Sequence, residues 1–291
     1  MNQPPDNPPP DRHARPGRLH KRHAGRHRIL RATAVLPSVV TLGNLLAGFA
    51  SIFFATRESL GQTTMLSLWL AAWMIAVAMV CDMLDGRLAR MTRKTSDFGG
   101  QLDSLCDVVS FGVAPAILAA RISLMGLRSG LWPQLPQSEQ WVWCAAAVYV
   151  SCAALRLARF NVENVPDESA HMHFRGLPSP AAAGLIVTMA LMLVHADWHW
   201  AWASPDVLLG VWAVGMPVAT LACGLLMVSR LPYPHVVNQY LRGKRPFGYL
   251  VKIVVILLAA LLDPFVTSLA VAAMFVLSGP VRWAWRVARG R

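Results

Sequence analysis

Charge is scarce in this chain. Only 14% of its 291 residues are Asp, Glu, Lys or Arg, while 55% are hydrophobic. Soluble globular domains carry about 25% charged residues, so the composition argues against one and for a membrane protein. Acid is the scarcer sign: 15 Asp and Glu face 27 Lys and Arg, for a formal charge of +12. In a soluble protein that excess would suggest a nucleic-acid partner. Here the bases stand in short blocks between apolar runs, so the reading is no nucleic acid and a charge bias that orients a membrane protein. Cysteine is sparse too. Cys81, Cys106, Cys144, Cys152 and Cys223 form no C-x-x-C pair and lie mostly in apolar sequence, which points to small buried side chains rather than a disulfide framework or a zinc site. No internal repeat is evident.

What is abundant is apolar sequence in runs of membrane-spanning length. Eight candidate spans lie near 34–55, 65–84, 103–125, 140–160, 179–196, 207–228, 248–263 and 265–283. Several approach the ~20 residues that cross a bilayer core; the fifth and seventh are short, and Asp263-Pro264 predicts a tight turn between the last two. The expected fold is all-α, a polytopic bundle of about eight transmembrane helices. Residues 1–17 are proline-rich and polar, the composition of a disordered segment. Residues 18–31 carry Arg18, Lys21, Arg22, Arg26, Arg28 and Arg31 with three histidines. They read either as an interfacial helix on anionic lipid or as a solvated tail. The chain thus divides into a tail (1–31), a transmembrane catalytic domain (32–286) and a short basic end (287–291). With the amino terminus in the cytoplasm, all Lys and Arg except Arg57, Arg121 and Arg128 fall on the cytoplasmic side. The positive-inside rule then places both termini at the inner face of a cytoplasmic membrane.

The acids are not scattered. Asp82, Asp85, Asp97, Asp103 and Asp107 fall within one stretch, C-D-M-L-D-G-R-L-A-R, M-T-R-K-T-S-D-F-G-G-Q-L, D-S-L-C-D. Asp82 and Asp85 are three apart and Asp103 and Asp107 four apart, and each spacing puts two carboxylates on one helix face. Two such helices across a short loop would gather four carboxylates at the cytoplasmic end of spans two and three. At an effective dielectric of 20, two charges 4 Å apart repel by about 4 kcal/mol, so the cluster calls for a cation. Carboxylates without histidine suit Mg2+ or Mn2+, and a pair of ions bridging a diphosphate would stabilise its entering and leaving oxygens. Gly86 leaves room for a ligand at the backbone, Ala89 keeps the face beyond Asp85 open, and Arg90 can reach a phosphate.

The pattern D-x2-D-G-x2-A-R followed by G-x3-D-x3-D, completed by Gly99, Asp103 and Asp107, resembles the signature of the CDP-alcohol phosphatidyltransferase family. Further stretches resemble its membrane-integral phosphatidylserine synthase branch: D-S-L-C-D-V-V-S-F-G-V-A-P-A (103–116), A-L-R-L-A-R-F-N-V (154–162), F-R-G-L-P-S-P-A-A-A (174–183) and S-R-L-P-Y-P (229–234). One departure stands in the first span, where Ser38 replaces the first asparagine of P-N-x2-T-x2-N, while Thr41 and Asn44 match.

The resemblance implies transfer of a phosphatidyl group from CDP-diacylglycerol to the hydroxyl of L-serine, with release of CMP. It implies Asp82, Asp85, Asp103 and Asp107 as metal ligands and Asp107 also as general base, two roles that compete for the same oxygens. Gly86, Ala89, Arg90 and Thr41 would line the liponucleotide site. Serine needs a cation for its carboxylate, which Arg156 or Arg159 can supply through paired hydrogen bonds; both also suit ordinary positive-inside arginines. Asn44, polar within span one, reads as a ligand contact or as helix glue. The family suggests a homodimer. Two rival readings remain: a sister enzyme with glycerol 3-phosphate, an inositol phosphate or another alcohol as acceptor, and a cation transporter. The transporter fits less well, because transport sites lie near the midplane between repeats.

Overall fold

A computed structural model describes residues 19–57, 64–92, 97–128, 139–163, 176–199, 205–231, 233 and 247–289. Among them there is helix and no strand. The order is α1 (Leu19–Thr56), α2 (Thr64–Thr92), α3 (Asp97–Asp107), a π-helical turn (Val108–Val113), α4 (Ala114–Arg128), α5 (Gln140–Glu163), α6 (Ser179–His199), α7 (Pro205–Val228), α8 (Phe247–Leu262) and α9 (Pro264–Ala288). Among the described residues, seven apolar stretches are long enough to cross a membrane: Ser38–Thr56, Met65–Leu88, Phe98–Arg128, Gln140–Val162, Ser179–His199, Val207–Val228 and Pro264–Ala288. The protein is an integral membrane helix bundle.

The seventh candidate span, expected to be short, is the one that falls below crossing length. The seventh candidate span is α8, helical and apolar but only 16 residues long; at 1.5 Å per residue it reaches about 24 Å, short of a ~30 Å hydrocarbon core. The backbone is helical from Leu19 to Thr56. The proline-rich residues 1–17 lie outside the described residues.

Small side chains let the helices approach. Ala71, Ala72 and Ala78 of α2, Ala114, Ala116 and Ala120 of α4, and Ala182, Ala183 and Ala190 of α6 are all buried. In a bilayer, lipid tails are as apolar as leucine, so association relies on such close packing and on hydrogen bonds between helices. Gly48 of α1 is the tightest case near the site: a Cβ there would stand 2.8 Å from the Ser110 Cα in the π-helical turn. Many large apolar residues face outward. Leu46, Phe49 and Phe53 of α1 and Leu261 and Leu262 of α8 are exposed, as a lipid-facing surface requires.

The α3–α4 passage is one span with a wide turn inside it. Ala114 donates its backbone N–H to Val109, five residues back, where an α-helix would bond four back. Such turns shift the phase of the side chains that follow. Tyr149 of α5, fully buried, donates its hydroxyl to the Phe111 carbonyl at 3.0 Å, and Ser110 donates to the Asn44 carbonyl at 2.9 Å. These bonds tie α1 and α5 to the turn that starts directly after Asp107.

Candidate active site

Asp82 and Asp85 stand in the last turns of α2, and Asp103 in α3. Each offers one carboxylate oxygen, and the three oxygens lie within 4.8 Å of one another. Asp107, the fourth expected member, falls outside that close group. Among the described residues no Lys or Arg forms an ion pair with any of the three. Asp85 Oδ2 and Asp103 Oδ1 are buried and accept no hydrogen bond there. Buried carboxylate oxygens without partners are costly, and a compact oxygen-only group of this kind fits a hard divalent cation.

Supporting contacts hold the group. The Thr41 hydroxyl and the Gly86 backbone N–H lie within electrostatic reach of the Asp85 carboxylate. Thr41 is itself buried, so the structure sets it against a carboxylate. Gly86 keeps open space beside the cluster, with nothing within 4 Å of where a Cβ would be. Ala89 and Arg90 continue α2, and their side chains lie outside the described residues.

Asp107 has its own setting. It is 8% exposed, and Asn44, fully buried, donates its amide to Asp107 Oδ1 at 3.0 Å. Asn44 Oδ1 is buried with no partner among the described residues. Arg156 of α5, partly buried, lies within electrostatic range of Asp107, and its Nη1 donates to Ser179 Oγ at 2.7 Å. Arg159, three residues on, is exposed. One further contact closes this end of the bundle: Ser104 Oγ donates to Asn161 Oδ1 at 3.0 Å, joining α3 to α5. The five cysteines are free, and Cys106 is buried next to this region.

Sequence reasoning missed Ser104, Ser110, Tyr149, Asn161 and Ser179. Each is a polar group in or beside an apolar run, which is the signal that would have flagged it.

Comparison with known proteins follows the same boundaries. The family model for CDP-alcohol phosphatidyltransferase matches residues 34–220, from α1 through most of α7. The chain belongs to the CDP-alcohol phosphatidyltransferase family. The phosphatidyltransferase is 29% identical over 249 residues to a CDP-diacylglycerol–serine O-phosphatidyltransferase of Helicobacter pylori, covering 86% of this chain and 91% of that one. A protein of the same name from Methanocaldococcus jannaschii is 35% identical over 210 residues, 72% of this chain and 79% of its own. Another from Bacillus subtilis is 30% identical over 200 residues, 69% of this chain and 90% of its own. This phosphatidyltransferase is therefore an enzyme of phosphatidyl transfer, and its carboxylate cluster lies inside the matched region.

Proposed function

We propose that this enzyme transfers the phosphatidyl group of CDP-diacylglycerol to the hydroxyl of L-serine, giving phosphatidylserine and CMP. The observation that carries the reading is the gathering of Asp82, Asp85 and Asp103 into one oxygen cluster, in a chain whose relatives are named for the serine reaction. Those three carboxylates would hold a divalent cation, Mg2+ or Mn2+, and Asp107 would be the fourth carboxylate turned toward a second ion. When bound, the metal supplies positive charge that binds the diphosphate and favours departure of CMP.

The remaining work belongs to the chain's own side chains. Thr41 orients Asp85, and Gly86, Ala89 and Arg90 border the space for the cytidine diphosphate. Asp107 acts as the base. Its Oδ1 is occupied by Asn44, which leaves Oδ2 to take the proton of the serine hydroxyl. The serine oxygen then bonds to the lipid-linked phosphorus as the bond from that phosphorus to the CMP oxygen breaks. This division eases the competition between metal binding and base catalysis, because Asp107 stands apart from the close carboxylate group. Arg156 and Arg159 receive the serine carboxylate, with Asn44 Oδ1 available to its ammonium. Basic blocks at this end of the bundle support a cytoplasmic site, and so cytoplasmic termini, under the positive-inside rule. A homodimer is part of the same proposal.

The test is release of CMP by the purified protein, with CDP-diacylglycerol as donor and L-serine, glycerol 3-phosphate and inositol phosphate supplied separately. Serine alone should drive release. Preference for a phosphorylated acceptor would move the enzyme to a sister reaction, and metal-driven cation flux without CMP release would move it to another class.

A further inference from the structure

Two segments that the aspartate chemistry does not use meet beside Arg156: residues 176–180, which lead into α6, and residues 225–231, which end α7. Gly176 donates its backbone N–H to the Leu231 carbonyl at 2.9 Å, and Leu177 donates to the Leu226 carbonyl at 3.0 Å. Gly176 has φ +96°, a conformation that disfavours a Cβ. A Cβ there would also stand 2.9 Å from the Ser229 carbonyl oxygen. Ser229 in turn donates its hydroxyl to the Leu226 carbonyl at 2.7 Å. The entry to α6 is thereby pinned to the end of α7 by backbone on both sides.

Ser179 sits at the first position of α6 and is 1% exposed. Its Oγ accepts one arm of the Arg156 guanidinium. That partner is neutral, and among the described residues Arg156 forms no ion pair. A hydroxyl fixes the direction of a guanidinium without cancelling its charge, whereas a carboxylate partner would do both. The planar fork then keeps N–H groups for an incoming anion. The charge that Arg156 faces across the site is that of Asp107.

We propose that Ser179 is a positioning residue: it holds one arm of Arg156 so that the rest of the fork meets the carboxylate of the acceptor amino acid beside Asp107. The glycine turn at Gly176 sets the place of Ser179 and therefore the aim of the arginine. This role rests on the serine reading above and deepens it by naming what selects an amino acid over a plain alcohol.

The experiment uses the full-length protein in lipid nanodiscs and measures KM and kcat for L-serine and for CDP-diacylglycerol. The variants are Ser179→Ala, Arg156→Ala and the double substitution. A hydrogen bond to a charged group implies that Ser179→Ala raises the serine KM about tenfold. The CDP-diacylglycerol KM should stay as in the wild type. In the Arg156→Ala background the same substitution should add nothing, since the group it positions is gone. Should Ser179→Ala accumulate poorly, Ser179→Cys keeps the size, replaces the hydroxyl by a weak acceptor and is read in the same way. An equal rise in both KM values, an effect on kcat alone, or an undiminished effect without Arg156 would make Ser179 a mere strut and overturn the role. A wild-type enzyme that ignores serine overturns the acceptor reading and this role together. A serine-using wild type with an unchanged serine KM in Ser179→Ala overturns this role alone.

Discussion

Asn44 and Asp107, 63 residues apart in the chain, are joined by a 3.0 Å hydrogen bond from the asparagine amide to the aspartate Oδ1. The bond crosses from α1 to the end of α3, and Ser110 steadies the same asparagine through its backbone carbonyl. Asn44→Leu keeps a similar volume and removes the donor. Groups that orient a reacting or ligating residue typically matter by about 10–100-fold, so kcat should fall within that range. Wild-type kcat in the purified variant would take Asn44 out of the orienting role.

Asp82→Asn and Asp103→Asn should each lower CMP release by about 10²-fold or more, the scale seen when a preorganised charge-stabilising group is lost. Both variants should still insert and elute like the wild type on size exclusion. Stripping the wild type with a chelator should produce the same loss, and Mg2+ or Mn2+ should restore it. Full activity after metal removal would sink the cation assignment.

Gly48→Ala places a methyl 2.8 Å from the Ser110 Cα, a backbone atom that cannot swing aside. Overpacking of this kind costs about 1–3 kcal/mol. The comparison is Gly184→Ala, whose nearest neighbour is the flexible end of Met79 at 3.8 Å and which should be tolerated. Thermal unfolding in detergent should therefore drop for the first variant and hold for the second. Equal midpoints would contradict the close approach of α1 to the π-helical turn.

At the far end of the bundle, Asp263 caps α9. Its Oδ1 accepts from Phe265 at 2.9 Å and Val266 at 3.0 Å, and its Oδ2 lies 3.1 Å from His195 Nε2. Burial works against the ionised carboxyl, but the Val266 and Phe265 N–H groups and His195 outweigh it, so Asp263 titrates below the ordinary carboxylate range. A depressed folded value means stabilisation that is complete above the unfolded pKa of about 4 and is lost as pH falls through the folded one. Asp263→Asn keeps an N-cap but cannot titrate. The wild type should melt higher at neutral pH, by a margin worth at most about 1 kcal/mol because the side chain is partly exposed, and the margin should close below about pH 4. A margin independent of pH would refute this origin.

The sequence carried the spans through hydrophobic run length, and it carried the aspartates through helical spacing, because both signals are local. It did not carry the π-helical turn. V-V-S-F-G-V has no feature that separates a wide turn from an ordinary one; its geometry comes from Asn44 and Tyr149, which lie far away in the chain. The same reason hid the Arg156–Ser179 pair. Arg156 stood out as a cation at a span end, but its partner is fixed by how α5 meets α6 and by a glycine turn that only the fold defines. That Asp82, Asp85 and Asp103 form the closest group, with Asp107 outside it, was hidden as well. Spacing says which residues share a face, not how closely two faces meet.

The wide turn from Val108 to Val113 has an evolutionary corollary. A wide turn absorbs about one residue more than an ordinary one, so straightening it without shortening the chain would rotate one half of the span by about 100° against the other. The reaction centre would then lose its alignment with the half of the span that anchors it, although no residue of that centre had been replaced. Substitutions that break the bonds of Ser110 or Tyr149 to this short window should be purged far more strictly than exchanges of one lipid-facing apolar residue for another.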